Sequence, residues 1–152
     1  IANGDFEGGH AAWRESSNNG YALISQIPDG LGVAPRSGSQ AAWLGYIHRE
    51  IDTLEQSVRV TPQAPYLIYW QWIQSDETNC KWDSVSIRAN GKSVLEYGLC
   101  AATRTDGWRQ QVIDLKAYAN QSVTIRFEVS TDASLRSSLF LDDVTLEPAP
   151  YN

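Results

Sequence analysis

The chain has no methionine, two cysteines and two histidines. It also has no apolar run near the roughly 20 residues that a membrane-spanning helix needs. The shortage of histidine and cysteine leaves little for a nitrogen- or sulfur-ligated metal centre, and His10 and His48 have no ligand spacing to either cysteine. Basic clusters are missing as well: Lys and Arg are scattered singly, the net charge is −6 and the pI is near 4.8. Nucleic-acid binding requires a basic footprint, so that class of partner is excluded, and membrane insertion is not expected. Gly-rich phosphate loops and nucleotide fingerprints are absent too. With no initiator methionine and Ile1 just before the first motif, a processed or excised piece is expected, its leader and neighbouring modules removed.

What is present is β-prone. Short runs rich in Val, Ile, Tyr, Trp and Thr alternate with clusters of Gly, Pro, Asn, Asp and Ser. Strands are predicted near 2–7, 20–26, 39–45, 53–60, 66–75, 82–89, 92–97, 108–115, 122–130 and 138–147. The Asn90-Gly91 pair predicts a tight hairpin, because both central positions of such a turn need positive φ. Residues 115–119 suggest a single helical turn. The clearest alternation puts Val123, Ile125, Phe127 and Val129 inward, with Thr124, Arg126, Glu128 and Ser130 outward. Antiparallel strands without helical crossovers favour an all-β, two-sheet antiparallel β-sandwich. At 152 residues the chain is one domain, a β-sandwich module over 1–147 with 148–152 as the start of a linker or tail. Cys80 and Cys100 allow one disulfide, which would place the protein outside the cytoplasm; two buried free thiols are the alternative.

Four motifs carry a resemblance that spans nearly the whole chain. They are Asn3-Gly4-Asp5-Phe6-Glu7, Ser37-Gly38-Ser39, Gly107-Trp108 ahead of Asp114-Leu115, and Asp142-Asp143-Val144. Together they resemble the jelly-roll sandwiches of secreted bacterial carbohydrate-binding modules, and the related MAM-type and galactose-binding-like domains. The resemblance implies that the first and last motifs lie side by side as strands. It also implies a structural calcium held by the Asp5 carbonyl, the Glu7 side chain, oxygens around Ser37 and Gln40, and Asp142. The family often offers an acid at the Ser-Gly-Ser segment and this chain does not. Within the last strand, alternation groups Asp142 with Val144 and Leu146 facing in, and Asp143 facing out. The alternative is that Asp5 and Asp142 cap turns or accept backbone N–H groups without a metal.

Six Trp and seven Tyr exceed what a sandwich core needs. In the run Tyr66–Ser75, if Leu67, Tyr69 and Ile73 face in, then Trp70, Trp72 and Gln74 line the opposite side. The same phase applied to neighbouring segments adds Trp82, Arg88, Arg126 and Glu128. Indole planes among Arg, Glu and Gln suit a sugar ring, whose C–H faces stack on aromatics while its hydroxyls need polar partners. The competing reading covers Trp70 and Trp72 with a loop such as 16–20 or 46–50. Trp13, Trp43 and Trp108 are expected in the core or in loop packing. Asp76-Glu77 and Asp142-Asp143 are adjacent acids of the kind a glycosidase pairs, but neither histidine sits in a catalytic context. The reading is therefore not an enzyme but a noncatalytic, calcium-stabilised carbohydrate-binding module of a secreted or cell-surface protein. The alternative is a structural or adhesive module, possibly self-associating, whose aromatics contact a neighbouring protein domain.

Overall fold

Ten strands form in the computed structural model, which describes residues 1–150. They are β1 (Arg14–Ser17), β2 (Ile24–Gln26), β3 (Gln40–Gly45), β4 (Ile51–Val60), β5 (Tyr66–Ser75), β6 (Ser84–Ala89), β7 (Lys92–Gly98), β8 (Arg109–Asp114), β9 (Gln121–Ser130) and β10 (Ser137–Glu147). One sheet runs β1-β4-β9-β6-β7 and the other β2-β3-β10-β5-β8, with every pairing antiparallel. This is a two-sheet jelly-roll-like sandwich. Among the described residues no helix is long and apolar enough to cross a membrane.

The period-2 pattern of β9 is realised residue by residue: Val123, Ile125, Phe127 and Val129 are all buried, and their alternates are not. Facing them across the sandwich are Leu67, Tyr69, Ile73, Leu139 and Leu141. The Tyr69 ring meets Phe127 edge-on at 5.1 Å. Asn90 and Gly91 take φ values of 50° and 81°, which closes the β6–β7 hairpin as its turn chemistry requires. Residues Lys116–Tyr118 make the single helical turn.

Two expectations are corrected. The segment 2–7 is a series of turns rather than a strand, and the first strand begins at Arg14. Asn3 and Phe6 sit at φ 49° and 62°, a conformation incompatible with a ladder. Asn3 organises the turns instead: its side chain accepts from Gly8 N and donates to the Gly9 and Ala11 carbonyls. The opening motif nevertheless lies against β10, where Val144 N donates to Gly4 O at 2.9 Å. A Cβ on Gly4 would fall 1.9 Å from Val144 O, so only glycine permits this approach. Phe6, fully buried, packs against Trp13 with tilted rings 5.5 Å apart, and Trp13 in turn against Phe127 at 6.4 Å.

The second correction concerns the face of Asp142. β10 carries a bulge between Asp142 and Thr145: Asp142 pairs with Trp70 and Thr145 with Ile68, so two β10 residues oppose Tyr69 alone. Asp143 takes the extra position at φ 49°. A bulge shifts the alternation by one. Asp142 therefore belongs with Ser138 and Phe140 on the outer face of its sheet, and does not share a side with Val144 and Leu146. It is buried all the same, because the β2–β3 loop lies over it.

Candidate functional site

The chain-end residues are brought together. Asp142 Oδ2 accepts from Arg36 N and Ser37 N at 2.9 and 3.2 Å, and its Oδ1 accepts from Asp143 N. Glu7 Oε1 accepts from Ser39 N and Gln40 N at 3.0 and 2.8 Å, and its Oε2 from the Ser39 hydroxyl. Asp143 holds Ser37 Oγ and the Arg36 guanidinium. The exposed Asp5 accepts from Glu7 N in a local turn. A Cβ on Gly38 would lie 2.3 Å from the Glu7 carboxyl carbon, which explains glycine at the centre of the Ser-Gly-Ser motif. Bonds from Gln40 and Ser39 hold the Glu7 carboxyl below its ordinary pKa, whereas burial pushes Asp142 up to about 7 against the bonds it receives. Every carboxylate here meets a protein donor, and Arg36 supplies positive charge. Together these bonds clamp the opening turns and the 36–40 segment to β10.

The predicted ligand residues fall on opposite sides of the molecule. Trp70, Trp72 and Gln74 stand on the outer face of the sheet containing β5; Arg88, Arg126 and Glu128 stand on the outer face of the other sheet, and Trp82 precedes β6 in the connecting loop. β5 pairs with β10 and β8, so carrying its phase into β6 and β9 crossed from one sheet to the other. Arg126 is engaged by Glu55 at 2.8 Å, and Glu55 also holds Arg14. Trp70 and Trp72 are half-buried, and the segment that lies over them is 31–36 rather than 16–20 or 46–50. The Arg36 guanidinium sits 3.7 Å above the Trp70 ring. Gln74 donates to Leu31 O, and Trp108, edge-on to Trp72, donates to Ala34 O. These side chains anchor a loop.

A different aromatic group remains open on the same sheet. Phe140 lies between Trp43 and Trp72 in the ladder, and Trp43 stacks on it at 5.4 Å and meets Tyr46 at 5.2 Å. Trp43, Tyr46 and the 54% exposed Tyr21 line a pocket of about 320 Å³. Tyr46 also lines an adjoining pocket of about 370 Å³ with Gln74, Asp76, Arg104, Arg136 and Ser138. The Arg136 guanidinium is 4.2 Å from the Tyr46 ring, and Trp43 Nε1 donates to Ser138 Oγ. Tyr46 is held at φ 72°, a sparsely populated conformation for a bulky residue and one that clusters at functional sites. An aromatic floor running into a wall of amide, carboxylate, hydroxyl and guanidinium groups can stack a ring and hydrogen-bond its substituents. The signal available in the sequence was Trp43-Leu44-Gly45-Tyr46, an aromatic pair around a glycine at a strand end.

The adjacent-acid pairs separate. Asp76 is exposed beside Arg136, whereas Glu77 turns inward and joins Asp83 and Asp132, with one oxygen of each within 4.8 Å of the others. Burial raises the pKa of both Glu77 and Asp83, and the neighbouring carboxylates add to the effect. The loop bearing Glu77 and Asp83 is tied by the Cys80–Cys100 disulfide, with Cα atoms 5.0 Å apart.

No protein-family model and no curated protein matches the chain. Solved structures match its fold. TmCBM61, solved in complex with β-1,4-galactotriose, superposes with a TM-score of 0.65 at 16% identity, covering 98% of this chain and 97% of its own. The K3 cleaved adhesin domain of Lys-gingipain from Porphyromonas gingivalis W83 gives 0.63 at 18% identity, with coverages of 92% and 94%. A cyclase from Fischerella sp. TAU gives 0.56 at 15%, with coverages of 99% and 97%. At such identities the likeness is one of fold, and the chemistry has to come from the side chains of each chain.

Proposed function

We propose that this chain is a noncatalytic carbohydrate-binding module of a secreted or cell-surface protein, and that its sugar site is the cleft floored by Trp43, Tyr46 and Tyr21. The observation that carries the reading is the continuity of that floor with Gln74, Asp76, Arg104, Arg136 and Ser138. Sugar recognition needs both halves: the aromatic planes take the C–H face, and the polar wall fixes the hydroxyls. The fold and the disulfide support an extracellular setting, and the galactotriose complex of TmCBM61 makes β-1,4-linked galactan the first glycan to try. Stabilisation by a divalent cation is part of the proposal.

A second reading, an adhesive module contacting protein, draws on Trp82, which is 57% exposed on the disulfide-anchored loop. An exposed indole of this kind suits an interface anchor. Affinity electrophoresis against galactan and other soluble polysaccharides separates the two. Retardation abolished by Trp43→Ala and Tyr46→Ala, and retained by Trp82→Ala, supports the glycan site. Absence of retardation on every glycan, with concentration-dependent sedimentation lost in Trp82→Ala, would replace it with the adhesive reading.

A further inference from the structure

We infer that Glu77, Asp83 and Asp132 form a binding site for a hard divalent cation, calcium, that ties the β5–β6 loop to the β9–β10 loop. Glu77 and Asp83 are 2% and 0% exposed, and Glu77 Oε1 and Asp83 Oδ2 have no hydrogen-bond partner. Both residues belong to a group that offers one ligand oxygen each, all within 4.8 Å of one another. Among the described residues no Lys or Arg forms an ion pair with any of the three. Buried carboxylates facing each other without a counter-charge are strongly unfavourable. A cation placed among them supplies the missing charge and the missing partners together.

The backbone holds the three acids in place. Ala101 N donates to Glu77 O, Leu99 N to Asp83 O and Arg49 N to Asp132 O, each at 2.8 Å. Asp132 N donates to Asp83 Oδ1 at 2.9 Å, which links the two loops directly. Cys80 is bonded to Cys100, and a Cβ on Gly98 would fall 2.1 Å from Cys80 O, so the loop has little freedom to carry its acids apart. The donor set is all oxygen: both cysteines are in the disulfide and neither histidine belongs to the group. That composition selects against zinc. Carboxylates drawn from two loops suit calcium, which accepts irregular geometry, better than magnesium, which demands a near-ideal octahedron and gives up its water reluctantly. The clamp around Glu7 and Asp142 lacks the decisive feature, because each of its acids is already met by protein donors.

The test uses the whole chain, freed of metal by chelation. Calcium at a hundredfold excess over its Kd should raise the melting temperature by about 5–10 °C. Terbium bound in its place should show emission sensitised by Trp82, next to Asp83, and calcium should displace it. In Glu77→Gln/Asp83→Asn the melting temperature without metal should be unchanged or higher, since two facing charges are gone, and calcium affinity should fall at least a hundredfold. The proposal is overturned if the chelated wild-type chain neither binds terbium nor gains stability with calcium. It is equally overturned if the response survives in that variant and disappears in Glu7→Gln/Asp142→Asn, which would locate the ion at the chain ends. Should Glu77→Gln/Asp83→Asn fail to fold, Glu7→Gln/Asp142→Asn decides: a calcium response retained there supports the site at Glu77, Asp83 and Asp132, and a response lost there overturns it. Glycan retardation is scored separately, so failure here and failure of the sugar site are distinguishable.

Discussion

Replacing both Cys80 and Cys100 by alanine removes the one covalent tie in the sandwich and should destabilise it by an amount the topology sets. The bridge closes a segment of 20 residues that contains Asp83, β6 and β7, with Glu77 three residues ahead of it. For a loop of that length, the chain entropy withheld from the unfolded state corresponds to about 3.3 kcal/mol at 25 °C. In a domain of this size that is a fall of roughly 7–13 °C in melting temperature. The measurement is a pair of calorimetric or urea-denaturation curves, parent against variant, run in excess chelator so that the tie is read without any ion. Repeating them with calcium should widen the difference, because the freed loop then holds its acids less well. A loss below about 1 kcal/mol in chelator would refute the reasoning: it would mean that the segment's ladder to β9 and the bonds from Leu99 and Ala101 already impose the order credited to the disulfide.

Gly4→Ala should detach the opening turns from β10, since its Cβ has no space beside Val144 O; a loss of about 1–3 kcal/mol in urea denaturation is expected, and an unchanged midpoint would place the turns elsewhere. Trp43→Ala should weaken glycan binding roughly tenfold, in line with the loss of about 1.4 kcal/mol of ring stacking. Trp70→Ala, by contrast, removes the Arg36 contact and should lower stability by about 0.5–1 kcal/mol while leaving glycan retardation intact. Asp52 is buried beside Glu50, and desolvation pushes its pKa up to about 7. Its folded state then keeps a proton that the unfolded chain releases above pH 4, so melting temperature should decline between about pH 4 and pH 7. Asp52→Asn should make that decline shallower, with Asp142, also pushed up to about 7, carrying part of the remainder, and a profile identical to the parent's would remove Asp52 as a source.

The sandwich was legible because its strands obey a period of two and its turns use the residues their geometry needs. β9 and the Asn90-Gly91 hairpin are the clearest cases. Alternation failed where the backbone broke it. The extra residue at Asp143 turned Asp142 to the other face of β10, and nothing in Leu141–Leu146 marks a bulge that depends on register with β5. Local pattern also could not say that β5 and β6 belong to different sheets, so side chains on opposite faces were read as one surface. In the opening motif, Phe6 carries the apolar signal of a strand, but its burial comes from packing on Trp13 inside a string of turns. The acidic cluster was half visible as Asp76-Glu77. Its remaining members come from the residue just ahead of β6 and from the loop after β9, a juxtaposition made by the pairing of β6 with β9.

The bond between Gly4 and Val144 has a mechanical corollary. Gly4 and the last strand lie side by side, so a stretching load across the described residues bears on that contact, on the clamp around Glu7 and on the final ladder pairs of β10 with β5 at Thr145, Leu146 and Glu147. The opening turns and the end of β10 would peel away before the rest of either sheet takes up the load.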